Sequence, residues 1–128
     1  MSDTTLTRLE TLALIAIGGF VGSNLRFVAF GALPEELALL TVNVVGSAVL
    51  GFLVYEAQYR GRIDPATRIF LTTGFLSSLT TYSGFALQAG TADGPLLFGA
   101  VVVGNYALGF AGVLVGRSLA RATGGDRS

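Results

Sequence analysis

Small and hydroxylated residues fill the centre of an apolar run that extends from Ile69 to Ala89. The central sequence is Gly74-Phe75-Leu76-Ser77-Ser78-Leu79-Thr80-Thr81-Tyr82-Ser83-Gly84-Phe85. Glycine weakens a helix because it is flexible, and hydroxyl groups weaken it because they compete for backbone partners. In hydrocarbon, an opened helix is tolerated only where protein, water or an ion takes up the freed backbone groups. The run therefore predicts a helix break over residues 77–82 that binds something, and close helix packing on small residues is the alternative.

Other polar side chains interrupt apolar runs elsewhere in the chain. Arg26 lies in the first run, Asn43 in the middle of the second, and Asn105 in the last. An amide at membrane depth must hydrogen-bond to another helix or to a polar cavity, so Asn43 is either a contact between helices or part of a site. Arg26 either extends to the membrane interface or serves a polar pathway.

The composition defines the class of protein that must position these residues. Of the 128 residues, 52% are hydrophobic and 12% are charged, compared with about 25% charged residues in an average soluble domain. The mean hydropathy of +0.68 likewise indicates an integral membrane protein. Cysteine and histidine are absent, which excludes disulfides, thiolate or imidazole metal sites, and Ser/His or Cys/His catalytic pairs. No nucleotide-binding pattern or long basic run is present, so we expect neither an enzyme nor a nucleic-acid-binding protein.

Apolar runs long enough to cross roughly 30 Å of hydrocarbon recur along the chain. The predicted spans are residues 12–32, 37–55, 69–89 and 96–116. We therefore predict an all-α membrane protein with four transmembrane helices, the third broken at its centre. The transmembrane subunit would cover residues 12–117, between an N-terminal segment of residues 1–11 and a short tail of residues 118–128 without regular structure. The charges before the first span do not resemble a signal peptide, so we expect that span to be retained.

The arginine distribution predicts the orientation of the chain in the membrane. With four spans, both termini and the middle loop share one side, which contains Arg8, Arg60, Arg62, Arg68, Arg117, Arg121 and Arg127. The two loops on the opposite side contain Glu35, Glu36 and Asp93 and no arginine. The excess of arginine on one side places both termini in the cytoplasm of a multi-pass cell-membrane protein.

Several motifs together resemble the Fluc/CrcB fluoride channel family. They are Gly18-Gly19-Phe20-Val21-Gly22 with Arg26, Asn43-Val44-Val45-Gly46, Ile63-Asp64-Pro65, Thr72-Thr73-Gly74-Phe75 and Thr80-Thr81-Tyr82-Ser83-Gly84-Phe85. The resemblance covers all four predicted spans in order. It implies a small subunit that pairs with a second, oppositely oriented subunit, and passive export of fluoride through pores at their interface.

The resemblance also implies roles for individual residues. A structural Na⁺ would be held at the break by the backbone carbonyls of Ser77 and Thr80. The fluoride pathway would contain Asn43 as a donor, the ring edges of Tyr82 and Phe85, and further donors at Thr81, Ser83 and Asn105. The chain departs from the family pattern at Ser77 and Ser78, where the family has glycine, at Tyr82, where it has phenylalanine, and at Gly84.

The arginine bias leads to a prediction about assembly. A chain with arginine on one side should insert in one orientation, so its antiparallel partner would be a homologous subunit with the reverse bias. A dual-topology homodimer remains the alternative, and a second alternative is a non-conducting assembly partner in a heterodimer. A small multidrug transporter is disfavoured because no carboxylate lies within the predicted spans.

Overall fold

The computed structural model describes residues 3–123, and all regular secondary structure in that range is helical. The elements are α1 (Asp3–Ala32), α2 (Glu35–Tyr59), α3 (Pro65–Ile69), a π-helix (Phe70–Leu76), α4 (Ser77–Leu79), α5 (Tyr82–Gly90) and α6 (Pro95–Thr123). The predicted all-α class is confirmed. Helices α1, α2 and α6 are each long and apolar enough to cross a membrane, whereas the run predicted as the third span consists of shorter consecutive helices.

The long helices extend beyond the predicted spans at several ends. Helix α1 already begins at Asp3, within the N-terminal segment. Helix α2 begins at Glu35, directly after Pro34, and two carboxylates in its first turn complement the positive end of the helix dipole. Helix α6 continues to Thr123, so the expectation of an irregular tail is wrong for residues 118–123. Good helix formers follow Ser118 there, and Ala120 is fully buried. The rest of the tail lies outside the described residues.

Glycines allow α2 and α6 to pack closely along their length. A Cβ atom added to Gly112 would lie 2.8 Å from the carbonyl oxygen of Val44, and one added to Gly51 would lie 2.5 Å from that of Val113. A Cβ at Gly116 would overlap the carbonyl oxygen of Ala48. Gly112 and Gly116 of the last predicted span therefore lie on a packing surface.

Helix α1 packs in the same way against the π-helix and α4. A Cβ at Gly22 would overlap both the hydroxyl of Ser78 and the carbonyl oxygen of Phe75. Gly18 lies against the backbone from Phe70 to Phe75. These contacts hold the segment before the predicted break directly against α1.

The loop between α2 and α3 ends in a capped helix start. The side chain of Asp64 accepts hydrogen bonds from the N–H of Thr67 at 3.3 Å and from its hydroxyl at 2.7 Å, and Pro65 occupies the first turn. These hydrogen bonds lower the pKa of Asp64 below its ordinary value because they favour the ionised carboxylate. Asp64 thus fixes where the helical segment leading to the break begins.

Candidate functional site

The chain leaves helical geometry at Thr80 and Thr81, between α4 and α5. The backbone dihedral angles φ and ψ are −82° and 159° at Thr80 and −150° and 117° at Thr81, which are extended values. The N–H of Thr80 still donates to the carbonyl of Leu76 at 3.0 Å. In a continuous α-helix the next N–H, that of Thr81, would donate to the carbonyl of Ser77. It donates instead to the side chain of Asn43.

Asn43 of α2 takes up both backbone groups of Thr81. Its Oδ1 accepts the Thr81 N–H at 2.9 Å, and its Nδ2 donates to the Thr81 carbonyl at 3.2 Å. A primary amide can make this pair of contacts because it carries both a donor and an acceptor. The second N–H of the amide is not used by these two bonds. Asn43 therefore stabilises the extended backbone and can still offer one donor to a neighbouring group.

Hydroxyl groups satisfy other backbone atoms around Thr80 and Thr81. The Thr81 hydroxyl accepts the N–H of Gly84 at 3.0 Å, which caps α5, and lies 3.2 Å from the hydroxyl of Ser83. On the α4 side, Ser78 donates to the carbonyl of Gly74 at 3.0 Å, and Ser77 donates to the carbonyl of Thr73. The Thr81 hydroxyl thus fixes the start of α5, whereas the serine hydroxyls bond back to carbonyls of the preceding π-helix.

The interruption brings two helix ends of opposite polarity together. The end of α4 presents backbone carbonyls, which carry partial negative charge, and the start of α5 presents N–H groups, which carry partial positive charge. Carbonyl oxygens suit a hard cation, and helix N-termini suit an anion. Because the extended linker consists of Thr80 and Thr81 alone, both kinds of ion could be bound within a few residues of each other.

Most of the predicted pathway residues line one groove of about 420 Å³ beside this linker. Its lining includes Asn43, Ser47, Thr80, Thr81, Tyr82, Phe85, Asn105, Tyr106 and Phe110. Phe85 is 9% exposed and Tyr82 is 73% exposed. The ring of Phe85 stands edge-on to that of Tyr106, with centroids 5.6 Å apart and an interplanar angle of 89°. The groove therefore combines aromatic edges with amide and hydroxyl groups.

A second groove of about 580 Å³ contains two further predicted residues, Arg26 and Ser83. Thr81 and Gly84 also line it, so it opens onto the N-terminal end of α5. The guanidinium of Arg26 and the N–H groups of this helix end both favour an anion. Thr81 lines both grooves, so the extended linker lies between them.

The structure places two of the predicted residues, Ser77 and Asn105, in ways that the sequence did not specify. Ser77 is exposed and lines neither groove, although it lies in the last turn before the linker. Asn105, predicted as a donor, uses its Nδ2 to donate to the carbonyl of Val101 at 2.8 Å. Its buried Oδ1 has no hydrogen-bond partner within residues 3–123. Asn105 thus presents an acceptor, which suits a hydroxyl or water molecule better than a bare anion.

Sequence reasoning missed Tyr106 and Ser47 as groove residues. Tyr106 lies in the last predicted span and Ser47 in the second, and the sequence motifs assign a role to neither. Ser47 follows the predicted site residue Asn43 by four positions, which is one helical turn, so helical periodicity could have identified it. Tyr106 directly follows Asn105, and no helical spacing links it to a predicted site residue.

Comparison with known proteins matches this chain to one family model and to relatives that share one name. Residues 13–117 match the family described as "CrcB-like protein, Camphor Resistance (CrcB)". A protein of Haloarcula marismortui named "Fluoride-specific ion channel FluC 1" is 49% identical over 122 residues, which cover 94% of each chain. A "Fluoride-specific ion channel FluC 2" of Halobacterium salinarum is 48% identical over 120 residues, or 92% of each chain.

A third organism shows that such relatives can occur together. Methanosarcina barkeri has a "Fluoride-specific ion channel FluC 2" that is 37% identical over 124 residues, covering 96% of this chain and 97% of the relative. It also has a "FluC 3" that is 38% identical over 86 residues, covering 63% and 65%. The match to the family spans most of the described helices, and the relatives cover nearly the whole chain. The membership that the sequence motifs predicted is confirmed, and this chain belongs to the CrcB family.

Proposed function

We propose that this chain is a subunit of a fluoride-selective channel and exports fluoride passively from the cell. The observation that carries the proposal is the pair of grooves that meet at Thr81, where Asn43 holds the extended backbone and α5 begins. Its relatives are named fluoride-specific ion channels. A channel needs no nucleophile or general base, only a path on which an anion is bound weakly and repeatedly.

The fluoride path would run from the groove of Arg26 and Ser83, past Thr81, into the groove of Asn43 and Phe85. Donor groups on this path replace part of the hydration shell of the ion: the free amide N–H of Asn43 and the hydroxyls of Thr81 and Ser83. The rings of Tyr82 and Phe85 present positive edges to the anion without a full charge that would trap it. An inside-negative membrane potential, worth about 2.3 kcal/mol per charge per 100 mV, would drive fluoride outward.

A structural Na⁺ would occupy the carbonyl side of the same interruption. The carbonyl of Ser77 loses its helical partner when Thr81 donates to Asn43, and Thr80, which would supply the second carbonyl ligand, has an extended backbone. Serine at position 77 can supply this ligand as well as glycine could, since the ligand is a backbone oxygen. When bound, the ion would supply fixed positive potential that favours anions nearby.

A second subunit would cover the interruption. Ser77, Ser83 and most of Tyr82 are exposed in the single chain, and polar backbone at membrane depth cannot face lipid. In this arrangement the segment from Pro65 to Gly90 forms the third of four crossings, and the carbonyl ends of two antiparallel subunits meet around the Na⁺. The other faces of the subunits would contact membrane lipid.

The antiparallel partner would be a homologous chain with the reverse arginine bias, with both termini of this chain in the cytoplasm. The bias supports a single insertion orientation, and the two relatives in Methanosarcina barkeri show that one organism can encode more than one such chain. A dual-topology homodimer is the second possibility. Tags at the two termini, tested for accessibility from each side in cells, would decide: comparable labelling from both sides would contradict the single orientation.

Fluoride efflux from liposomes tests the function itself. Vesicles would contain this chain alone, then this chain with a co-expressed homologous partner. We expect efflux with the partner, and its suppression by Asn43→Asp, which replaces the amide donor by a carboxylate. Loss of efflux on exchange of Na⁺ for a large organic cation would support the carbonyl site. An assembled dimer that never conducts would favour the non-conducting assembly role, which the departures at Tyr82 and Ser77 make the specific alternative.

A further inference from the structure

Glu56 is a buried carboxylate that no step of the proposed pathway uses. It lies in the last turn of α2, and its side chain is 1% exposed. Oε2 accepts the backbone N–H groups of Arg62 at 2.5 Å and Ile63 at 3.2 Å, and Oε1 accepts Nη2 of Arg68 at 3.3 Å. Three donors thus converge on one carboxylate, which leaves it unsuited to exchanging protons with a substrate.

The backbone of Glu56 organises the same loop. Its carbonyl accepts the N–H of Arg60 at 2.9 Å and that of Gly61 at 2.7 Å. Gly61 has a φ of +64°, a left-handed conformation that reverses the chain and that glycine adopts without strain. The loop therefore turns back onto Glu56, and its next two N–H groups point at the carboxylate. A buried charge of this kind is costly unless every donor is in place, so it specifies one loop conformation.

The folded loop holds Ile63 in place by both of its backbone polar groups. Its N–H is held by Glu56, and its carbonyl accepts Nη2 of Arg68 at 3.0 Å. With both backbone groups fixed, its side chain packs against a buried cluster composed of Val42, Leu53, Leu76 and Leu79. Ile63 is thus a loop residue that is anchored in the core of the membrane domain.

The same cluster connects the loop to the extended linker. Val42 directly precedes Asn43, and Leu79 is the last residue of α4, two positions before Thr81. The cluster therefore contains a neighbour of each partner in the Asn43–Thr81 contact. Packed protein interiors transmit small displacements because they contain few voids.

We propose that Glu56 is a positioning residue for the interruption: through Ile63 and the buried cluster, it fixes the relative placement of Asn43 and Thr81. The effect on fluoride transport rests on the proposed function, whereas the effect on the Asn43–Thr81 contact does not. Replacing the carboxylate should loosen a contact that lies far from it along the chain.

Amide hydrogen exchange of the full chain in lipid nanodiscs tests this coupling. Glu56→Gln keeps the size of the side chain but replaces one acceptor by a donor. We expect exchange to accelerate about tenfold or more at the N–H groups of Arg62 and Ile63, and also at that of Thr81. Glu10→Gln is the matched control, since Glu10 is exposed on α1, and it should change none of these rates. Acceleration confined to the loop would overturn the proposal.

A second variant keeps the test decisive if Glu56→Gln does not fold. Ile63→Val removes one methylene from the link while leaving the carboxylate and its donors intact. It should accelerate exchange at Thr81 with little change at Arg62. An unchanged Thr81 rate in this variant would break the chain of contacts on which the proposal depends.

Fluoride efflux per assembled dimer completes the experiment. Glu56→Gln and Ile63→Val should both reduce it, and the exchanged pair Glu56→Arg with Arg68→Glu should not restore it, because arginine cannot accept backbone N–H groups. Restoration by the exchanged pair would reduce Glu56 to a simple ion pair and overturn the proposal. If the unmodified protein never conducts while Thr81 responds as expected, the proposed function fails and the positioning role stands.

Discussion

The α2–α6 pair and the segment from Pro65 to Gly90 both rely on glycine for close packing, yet they differ in how they satisfy their backbone. Helices α2 and α6 are continuous, and glycines such as Gly112 and Gly116 bring their backbones together. The other segment packs on α1 in the same way and then leaves helical geometry at Thr80. The side chain of Asn43 then pairs with the N–H and carbonyl of Thr81, which an uninterrupted helix would have paired within itself.

This difference in backbone pairing explains why the α2–α6 pair serves as support, whereas the interrupted segment can form an ion-binding site. The interior of a continuous helix offers an ion nothing from its backbone, because its carbonyl and N–H groups are already paired. An interrupted helix offers both kinds of group, but only if neighbouring elements hold the ends in place. Asn43 comes from α2, so the continuous pair supplies the support that the interrupted segment lacks.

The largest effect should follow from overfilling the α2–α6 contact. The added Cβ in Gly116→Ala would overlap the carbonyl oxygen of Ala48 and lie 2.8 Å from the nitrogen of Phe52. We expect destabilisation of about 1–3 kcal/mol, measured as a lower unfolding temperature in detergent. Gly104→Ala on the same helix is the control, since nothing described lies within 4 Å of its added Cβ. Equal losses in both variants would contradict the packing role.

Removal of the Asn43 side chain should affect the interrupted segment and leave the α2–α6 contact intact. Asn43→Ala leaves the N–H and carbonyl of Thr81 without this partner. Because Thr81 is only half-buried, the loss of stability should stay below the roughly 1–3 kcal/mol of a fully buried unpaired group. We expect fluoride efflux to fall about tenfold or more while the dimer still assembles. Asn24→Ala is the matched control, because Asn24 is exposed and its Nδ2 donates to Phe20 of its own helix. Undiminished efflux in Asn43→Ala would remove Asn43 from the site.

A smaller loss of efflux should follow from Phe85→Ile. The substitution removes the ring edge from the groove and the perpendicular contact with Tyr106, which is worth about 0.5–1.5 kcal/mol beyond its buried area. We expect efflux to fall by several-fold with assembly retained. Phe98→Ile on exposed α6 surface should leave efflux unchanged. If both variants conduct equally, the aromatic edge has no role in the path.

The smallest effect should come from the helix start that leads into the interrupted segment. The pKa of Asp64 is lowered in the folded protein, so its stabilising contribution is complete above the ordinary value of about 3.9. It is lost as the pH falls through the lower folded pKa. Unfolding temperatures measured from pH 6 down to pH 3 should therefore drop more in the unmodified protein than in Asp64→Asn. Parallel curves would show that the ionised cap does not contribute.

The apolar runs and the region of the interruption could be read from residue types, but the structure confines the extended backbone to Thr80 and Thr81, within the predicted break of residues 77–82. Runs of hydrophobic residues and the hydroxylated centre around Thr80 follow from local chemistry, and the family motifs led to the family that the comparisons confirm. The partner of Asn43 could not be read in this way, since 38 positions separate it from Thr81. Glu56 lies just after the second predicted span, and the sequence alone does not reveal that the following loop folds back and buries it.

The sequence by itself determined that this is an all-helical membrane protein, where its apolar segments lie, and which family it belongs to, because hydrophobicity and short motifs are local properties. Only the tertiary structure decided which backbone groups Asn43 takes up, how Ile63 enters the core, and which side chains share each groove. Those contacts join helices that are far apart in the chain. Their geometry depends on how closely glycines such as Gly22 let neighbouring backbones approach.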